Sequence, residues 1–165
     1  MRRLLIPFSI LCLVFAFSHS VPGQVKAPAP SWVRDVGARR APHKTRLFSA
    51  NSYGAMGDGL KNSTRAIQQA IDACSKGGGG IVTFNPGQYV TGALFLKRDV
   101  HLSVPTGVTL LGSQDDADYP SLPTRVAGIE MDWPAALINV NDQTNVKISG
   151  GGVIDGRGEK WWEKY

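Results

Sequence analysis

Hydrophobic residues recur with helical spacing in one stretch of the chain, from about Ser63 to Ser75. The repeating face contains Ala66, Ile67, Ala70, Ile71 and Cys74. Ser63 has the residue type of an N-cap, and the glycines that begin at Gly77 are typical of a helix end. The pattern predicts one amphipathic helix, with Cys74 as a buried, unreactive thiol on its apolar face.

From Ile81 onward the pattern changes to short apolar runs separated by turns rich in Gly, Pro and Asn. These runs predict strands at Ile81–Phe84, Gln88–Thr91, Ala93–Leu96, Val100–Val104, Val108–Leu111, Ala136–Val140, Val146–Ser149 and Val153–Asp155. The intervening segment 113–135 is rich in Asp, Pro and Arg and is interpreted as a loop excursion.

Part of the strand pattern repeats. The run from Ala93 matches the run from Ala136, Val100 matches Val146, and Gly107 matches Gly152, at offsets of 43, 46 and 45 residues. Repeats of this kind predict an all-β solenoid of parallel coils, capped at its N-terminal end by the helix. The alternative from the pattern alone is an antiparallel sandwich. The solenoid predicts one stacked core of Leu94, Val100, Leu102, Val108, Leu110, Ile138, Val146, Ile148 and Ile154.

The first 47 residues differ in composition from the rest. Residues 1–20 combine Arg2 and Arg3 with an apolar run from Leu4 to Phe17, which indicates a cleaved secretory signal rather than a membrane span. Residues 21–47 are rich in Pro, Ala and basic residues and predict a flexible segment. The sequence therefore predicts a secreted or periplasmic protein that has no membrane segment after cleavage, with its folded domain at 48–165.

Charge adds one exclusion. The formal net charge is +5, but the basic excess lies in the first 50 residues, and the predicted domain is slightly acidic. A nucleic-acid-binding domain is therefore not expected.

Four stretches resemble a known group of proteins. Asn51–Gly59 with Thr64–Cys74, and then Gly78–Tyr89, resemble the opening of pectin-degrading right-handed β-helix proteins of the pectate lyase superfamily, including rhamnogalacturonases. Val153–Trp162 is more similar to polygalacturonases of glycoside hydrolase family 28. The resemblance covers about residues 48–165 and implies the same right-handed parallel β-helix.

The resemblance also implies inverting hydrolysis of pectic galacturonan or rhamnogalacturonan, with two carboxyl groups about 6.5–9.5 Å apart. The family's Asn-Thr-Asp, Asp-Asp, Gly-His-Gly and Arg-Ile-Lys motifs have no credible counterpart in the sequence. We therefore assign no catalytic residue and expect an inactive N-terminal fragment of a longer enzyme. No cofactor and no metal site are expected.

Four residues are candidates for binding a pectic polysaccharide. Trp161 and Trp162 offer flat aromatic faces that pack against sugar rings, and Arg125 and Glu130 lie in the excursion. The adjacent Asp115 and Asp116 are interpreted as a solvated loop rather than as a catalytic pair. The alternatives to a hydrolase are a non-catalytic β-helix that binds polysaccharide and a calcium-assisted lyase.

Overall fold

The structure is a computed structural model that describes residues 29–34 and 41–163. The chain divides into two compact units, Met1–Val36 and Gly37–Tyr165. In the first unit, a 3₁₀ helix at Ser31–Arg34 lies within the segment predicted to be flexible. The predicted signal sequence at residues 1–20 lies outside the described residues.

The described residues of the second unit contain twelve short strands and two α-helices. The strands are β1 (Leu47–Ser49), β2 (Asp58–Asn62), β3 (Gly80–Thr83), β4 (Gly87–Thr91), β5 (Leu94–Phe95), β6 (Val100–Ser103), β7 (Val108–Gly112), β8 (Ser121–Val126), β9 (Ile129–Pro134), β10 (Ile138–Asn139), β11 (Lys147–Ser149) and β12 (Val153–Asp155). The helices are α1 (Thr64–Lys76) and α2 (Glu159–Trp162), and 3₁₀ helices lie at Ala50–Tyr53 and Asp116–Asp118. All eight predicted strands are present, and none of their ends differs from the prediction by more than two residues.

These eight strands and the two before α1 form three parallel sheets. One has the order β1-β3-β6-β11, the second β2-β4-β7-β12, and the third joins β5 to β10. Each strand pairs with a strand from a neighbouring repeat rather than with the next strand in the chain. The predicted parallel pairing is therefore confirmed, and the antiparallel sandwich is wrong.

The register between repeats differs in part from the sequence alignment. His101 pairs with Lys147 as predicted. Leu94, however, pairs with Ile138 rather than Leu137, and Val153 pairs with Thr109 rather than Val108. The physical reason is that side chains alternate between the two faces of a strand. A shift of the pairing by one residue would therefore turn the inward-facing side chains of a strand outward.

The core lies between the sheets and α1. Leu94, Val100, Leu102, Val108 and Leu110 are fully buried, and Ile138 and Val146 are partly buried against them. Ile148 and Ile154 were predicted to be buried, which is wrong: they are 45% and 42% exposed. They are in register with buried Leu102 and Leu110, but among the described residues no further strand covers β11 and β12.

Helix α1 forms as predicted and buries Ile67, Ala70, Ile71 and Cys74. Its N-terminus differs in one detail. The Ser63 side chain makes no capping hydrogen bond; its hydroxyl accepts from Met56 N at 3.0 Å. The first helical amide, Thr64 N, donates instead to Asn62 Oδ1 at 2.9 Å.

The excursion at residues 113–135 is more ordered than a loop. It contains the 3₁₀ helix Asp116–Asp118 and an antiparallel hairpin of β8 and β9, which pair only with each other. Positive φ angles at Ala127 and Gly128 make the two-residue turn between them. Residues 121–134 of the excursion thus form a hairpin of their own, outside the parallel sheets. Within the described residues, no helix is long and apolar enough to cross a membrane.

Candidate functional site

A cavity of about 410 Å³ lies where the excursion meets the segment after β12. This volume is within the range of about 300–1,000 Å³ typical of ligand sites. Aromatic and small apolar side chains dominate the lining, which consists of Tyr119, Trp133, Pro134, Ala135, Ala136, Leu137, Gly156 and Trp161. We call this the aromatic cavity.

Tyr119 is held in the cavity wall by the 3₁₀ helix that precedes it. Asp115 caps that helix, because its Oδ1 accepts from Ala117 N at 3.0 Å. The Tyr119 hydroxyl donates to Ser113 O at 2.9 Å. Burial, and secondly the nearby Asp118 carboxylate, raise the pKa of the Tyr119 hydroxyl above its usual value. Tyr119 is therefore a neutral hydrogen-bonding wall residue at physiological pH.

Trp161 is placed by the short helix α2. Its ring meets Tyr119 edge-on, with ring centroids 5.4 Å apart and planes at 87°. Lys160 Nζ lies 5.7 Å from the Trp161 ring centroid and 3.2 Å from Asp116 Oδ1, and it also donates to Gln114 O. The Lys160 contacts thus fasten α2, and with it Trp161, to the excursion.

The floor between these walls depends on a close backbone approach. A Cβ on Gly112, at the end of β7, would lie 2.8 Å from Gly156 O, which is closer than real Cβ contacts come. A glycine is therefore needed at position 112 for the turn after β12 to reach the cavity.

The structure places one of the four predicted binding residues in the aromatic cavity. Trp161 lines it. Trp162 does not and is 80% exposed. Arg125 and Glu130 lie beside the turn of the β8–β9 hairpin, where their side chains form an exposed ion pair with a distance of 3.6 Å from Nε to Oε1. A role in binding stays a prediction for all four residues.

Two wall residues, Tyr119 and Trp133, were missed in the sequence. Each lies in the polar excursion between an aspartate and a proline, in Asp118-Tyr119-Pro120 and Asp132-Trp133-Pro134. Large aromatic residues in such a polar segment were the available signal, because a solvated loop has no core in which to bury them.

The three aspartates at the start of the excursion, Asp115, Asp116 and Asp118, have structural partners. Besides the contacts of Asp115 and Asp116, Asp118 Oδ2 accepts from Asn62 Nδ2 at 2.7 Å and from the Ser113 hydroxyl. No group of three or more His, Cys, Asp or Glu side chains among the described residues is arranged to hold a metal ion. Among the described residues that line the aromatic cavity, none carries a carboxylate or an imidazole.

Comparison with known proteins connects this geometry to a family. Residues 47–116 match the family model described as rhamnogalacturonase A/epimerase, pectate lyase-like. The exo-poly-α-D-galacturonosidase of Dickeya chrysanthemi is 40% identical over 123 residues, which are 70% of this chain and 20% of that protein.

Two solved structures agree with the sequence comparison. The hyperthermoactive exopolygalacturonase of Thermotoga maritima matches with a TM-score of 0.68 at 35% identity, over 74% of this chain and 28% of that one. The family 28 exopolygalacturonase of Yersinia enterocolitica matches with a TM-score of 0.62 at 39% identity, over 68% of this chain and 21% of that one. The chain spans between about a fifth and just over a quarter of the length of these relatives. The resemblance to family 28 polygalacturonases is confirmed.

Proposed function

We propose that the chain is part of a polygalacturonase-like protein that acts in the hydrolysis of pectin, because it resembles polygalacturonases of glycoside hydrolase family 28. We further propose that galacturonan binds in the aromatic cavity. The observation that carries this proposal is the cavity wall of Tyr119, Trp133 and Trp161. Aromatic faces pack against the C–H groups of pyranose rings, and the Tyr119 hydroxyl supplies a polar edge. Since the lining contains no acid or base, the role proposed for these residues is to position the substrate.

The proposed architecture is a right-handed parallel β-helix in which the three sheets are successive faces of each coil. The parallel registers between repeats support it, since a strand that returns to the same sheet after each coil pairs in this way. Helix α1 is the proposed N-terminal cap. It packs against β1, β3, β5 and β6 and buries its apolar face there.

Export to the periplasm or the medium is proposed because pectin is an extracellular polymer and residues 1–20 have the composition of a secretory signal.

Binding of a defined ligand tests the proposed function. Trigalacturonate is titrated into the purified chain, and binding is followed by calorimetry and by tryptophan fluorescence. Saturable binding is expected, with Trp161→Ala weakening it about tenfold, because the variant loses the stacking face and its edge contact with Tyr119. Absence of binding, or an unchanged affinity in Trp161→Ala, would contradict the proposal.

The neighbouring tryptophan provides the matched variant. Trp162→Ala removes the same side chain one residue further along, where it is 80% exposed and outside the cavity lining. We expect it to lower the affinity less than Trp161→Ala. An equal loss in both variants would mean that sugar binds along α2 rather than inside the aromatic cavity.

A further inference from the structure

A second cavity, of about 610 Å³, lies between α1 and the 3₁₀ helix of the excursion. Its lining includes Arg65, Gln69 and Asp72 of α1, together with Phe95 of β5 and Asp118. We call it the helix groove. Its volume is within the range typical of ligand sites, and it shares no lining residue with the aromatic cavity. The two cavities can therefore bind different molecules.

One side of α1 presents a row of polar side chains to the helix groove. Arg65, Gln69 and Asp72 are spaced four and three residues apart, which places them next to one another along the helix. Arg65 and Gln69 are exposed, whereas Asp72 is partly buried. Among the described residues, the side chains of Arg65 and Gln69 form no hydrogen bond or ion pair with the protein. Their polar atoms are therefore available to a ligand.

Hydrogen bonds hold the walls of the helix groove in place. Gln68 Oε1 accepts from Phe95 N at 2.9 Å, and Gln68 Nε2 donates to Phe95 O at 2.9 Å. The same Nε2 donates to Asp72 Oδ1 at 3.0 Å. Asn62, which precedes α1, donates from Nδ2 to Asp118 Oδ2 at 2.7 Å and joins the start of α1 to the excursion. A groove that is already formed binds a ligand at a lower cost in conformational entropy.

The side chains that line the helix groove fit a neutral sugar better than a charged one. Phe95 is partly exposed and offers an aromatic face against which the C–H groups of a pyranose ring can pack. Sugar hydroxyls both donate and accept, so they can donate to Asp72 and accept from Arg65 and Gln69. The lining contains one cation, Arg65, and two carboxylates, Asp72 and Asp118. Its net charge is therefore negative, which disfavours a uronate there.

We propose that the helix groove is a carbohydrate site, separate from the aromatic cavity, that binds a neutral pyranose between Phe95 and the polar row of α1. The inference goes beyond the proposed function, which places galacturonan in the aromatic cavity, and it does not depend on that function. It gives α1 a role in binding in addition to its proposed role as a cap.

The experiment titrates β-1,4-galactobiose, an uncharged disaccharide, into the intact chain and follows binding by calorimetry. Saturable binding with a Kd of about 1 mM is expected for a small ligand in an open groove. Gln69→Ala should weaken binding at least about threefold, because it removes hydrogen bonds to the sugar hydroxyls. Phe95→Ala should weaken it at least about fivefold, because it removes the aromatic face. Since the Gln69 side chain has no partner among the described residues, Gln69→Ala keeps the test valid even if Phe95→Ala does not fold.

Gln88→Ala is the matched control. Gln88 is an exposed glutamine of β4 that lines neither cavity, so its truncation should leave the affinity for galactobiose unchanged. Trp161→Ala identifies the cavity that the sugar occupies, since Trp161 lines the aromatic cavity and not the helix groove. The inference is overturned if galactobiose does not bind, if Gln69→Ala keeps the full affinity, or if Trp161→Ala loses binding while Gln69→Ala does not.

Digalacturonate, a charged disaccharide of the same length, tests the preference for a neutral sugar. Galactobiose titrated in an excess of digalacturonate, at matched ionic strength, should bind with the same affinity to within about twofold. Competition would mean that the groove does not discriminate against charge or that both sugars share one site, and either result overturns the inference. The affinity for trigalacturonate is measured separately, so failure of the proposed function and failure of this inference can be told apart.

Discussion

Truncation of Leu102 tests whether the parallel coils share one interior. Leu102 lies in β6 between Val82 of β3 and Ile148 of β11, with which it is in register. Leu102 and Val82 are completely buried, whereas Ile148 is 45% exposed. The same row of side chains thus offers a buried position and a half-exposed one for comparison.

The expected costs differ because only one site leaves a cavity. Leu102→Ala removes buried methyl groups and leaves a hole that neighbours fill only in part, which costs about 2–5 kcal/mol of the free energy of unfolding. Full burial of an isoleucine side chain contributes about 1.5–3 kcal/mol. Since Ile148 is only about half buried and water can fill the space, Ile148→Ala should cost about 1 kcal/mol.

Urea unfolding at 25 °C, followed by circular dichroism, measures both losses. The comparison requires that both variants keep the dependence on urea of the unmodified protein, so that the midpoints report stability. Equal losses, or a larger loss in Ile148→Ala, would refute the buried stack from Val82 to Leu102.

Three further predictions concern titration, thiol reactivity and the cavity floor. Burial, and secondly Lys147, lower the pKa of His101 below its ordinary 6.5. The stability that His101 contributes is therefore present above about pH 6.5 and is lost as the pH falls. The unmodified protein should show a falling urea midpoint from pH 8 to pH 5, and His101→Gln should make that decline smaller. Burial raises the pKa of Cys74 from 9.0 to about 11, and the charge of Arg46 opposes this rise to a smaller extent. At pH 8 the native protein should therefore react with iodoacetamide at least about a hundredfold more slowly than urea-unfolded protein. Comparable rates would show that the thiol is accessible. Gly112→Ala should lower the free energy of unfolding by about 1–3 kcal/mol, because the new Cβ would lie 2.8 Å from Gly156 O. Gly156→Ala is the matched variant, since no atom lies within 4 Å of its Cβ. In the same urea experiment it should change the free energy of unfolding by no more than about 0.5 kcal/mol.

Elements with a strong local signal could be predicted from the sequence. The apolar face of α1 and eight of the ten described strands after it were found, because helical and alternating patterns report directly which face is buried. Strands β1, β2, β8 and β9 were not found. Four of the five residues of β2 are exposed, so its position depends on pairing with β4 and not on a hydrophobic pattern of its own.

The candidate site was less predictable for a related reason. Trp161 was identified because it belongs to a recognisable motif, but Tyr119 and Trp133 reach the same cavity from a segment 28 to 42 residues earlier in the chain. Their meeting depends on the 3₁₀ helix and the hairpin of the excursion, and neither has a hydrophobic period. The prediction that Ile148 and Ile154 belong to the buried core was likewise wrong. Whether an apolar side chain is buried depends on which strands cover its coil, and residue type alone does not decide this.

The self-paired hairpin β8–β9 has an evolutionary consequence. It joins none of the three parallel sheets, while β7 pairs directly with β12, and β5 with β10, across the insertion. Residues can therefore be added to or removed from the hairpin without shifting the registers that hold the coils together. Because Trp133 of β9 lines the aromatic cavity, such length changes would alter the wall of the cavity and leave the parallel sheets unchanged. Divergent relatives would accordingly acquire new ligand preferences through insertions at this position, at little cost in folding.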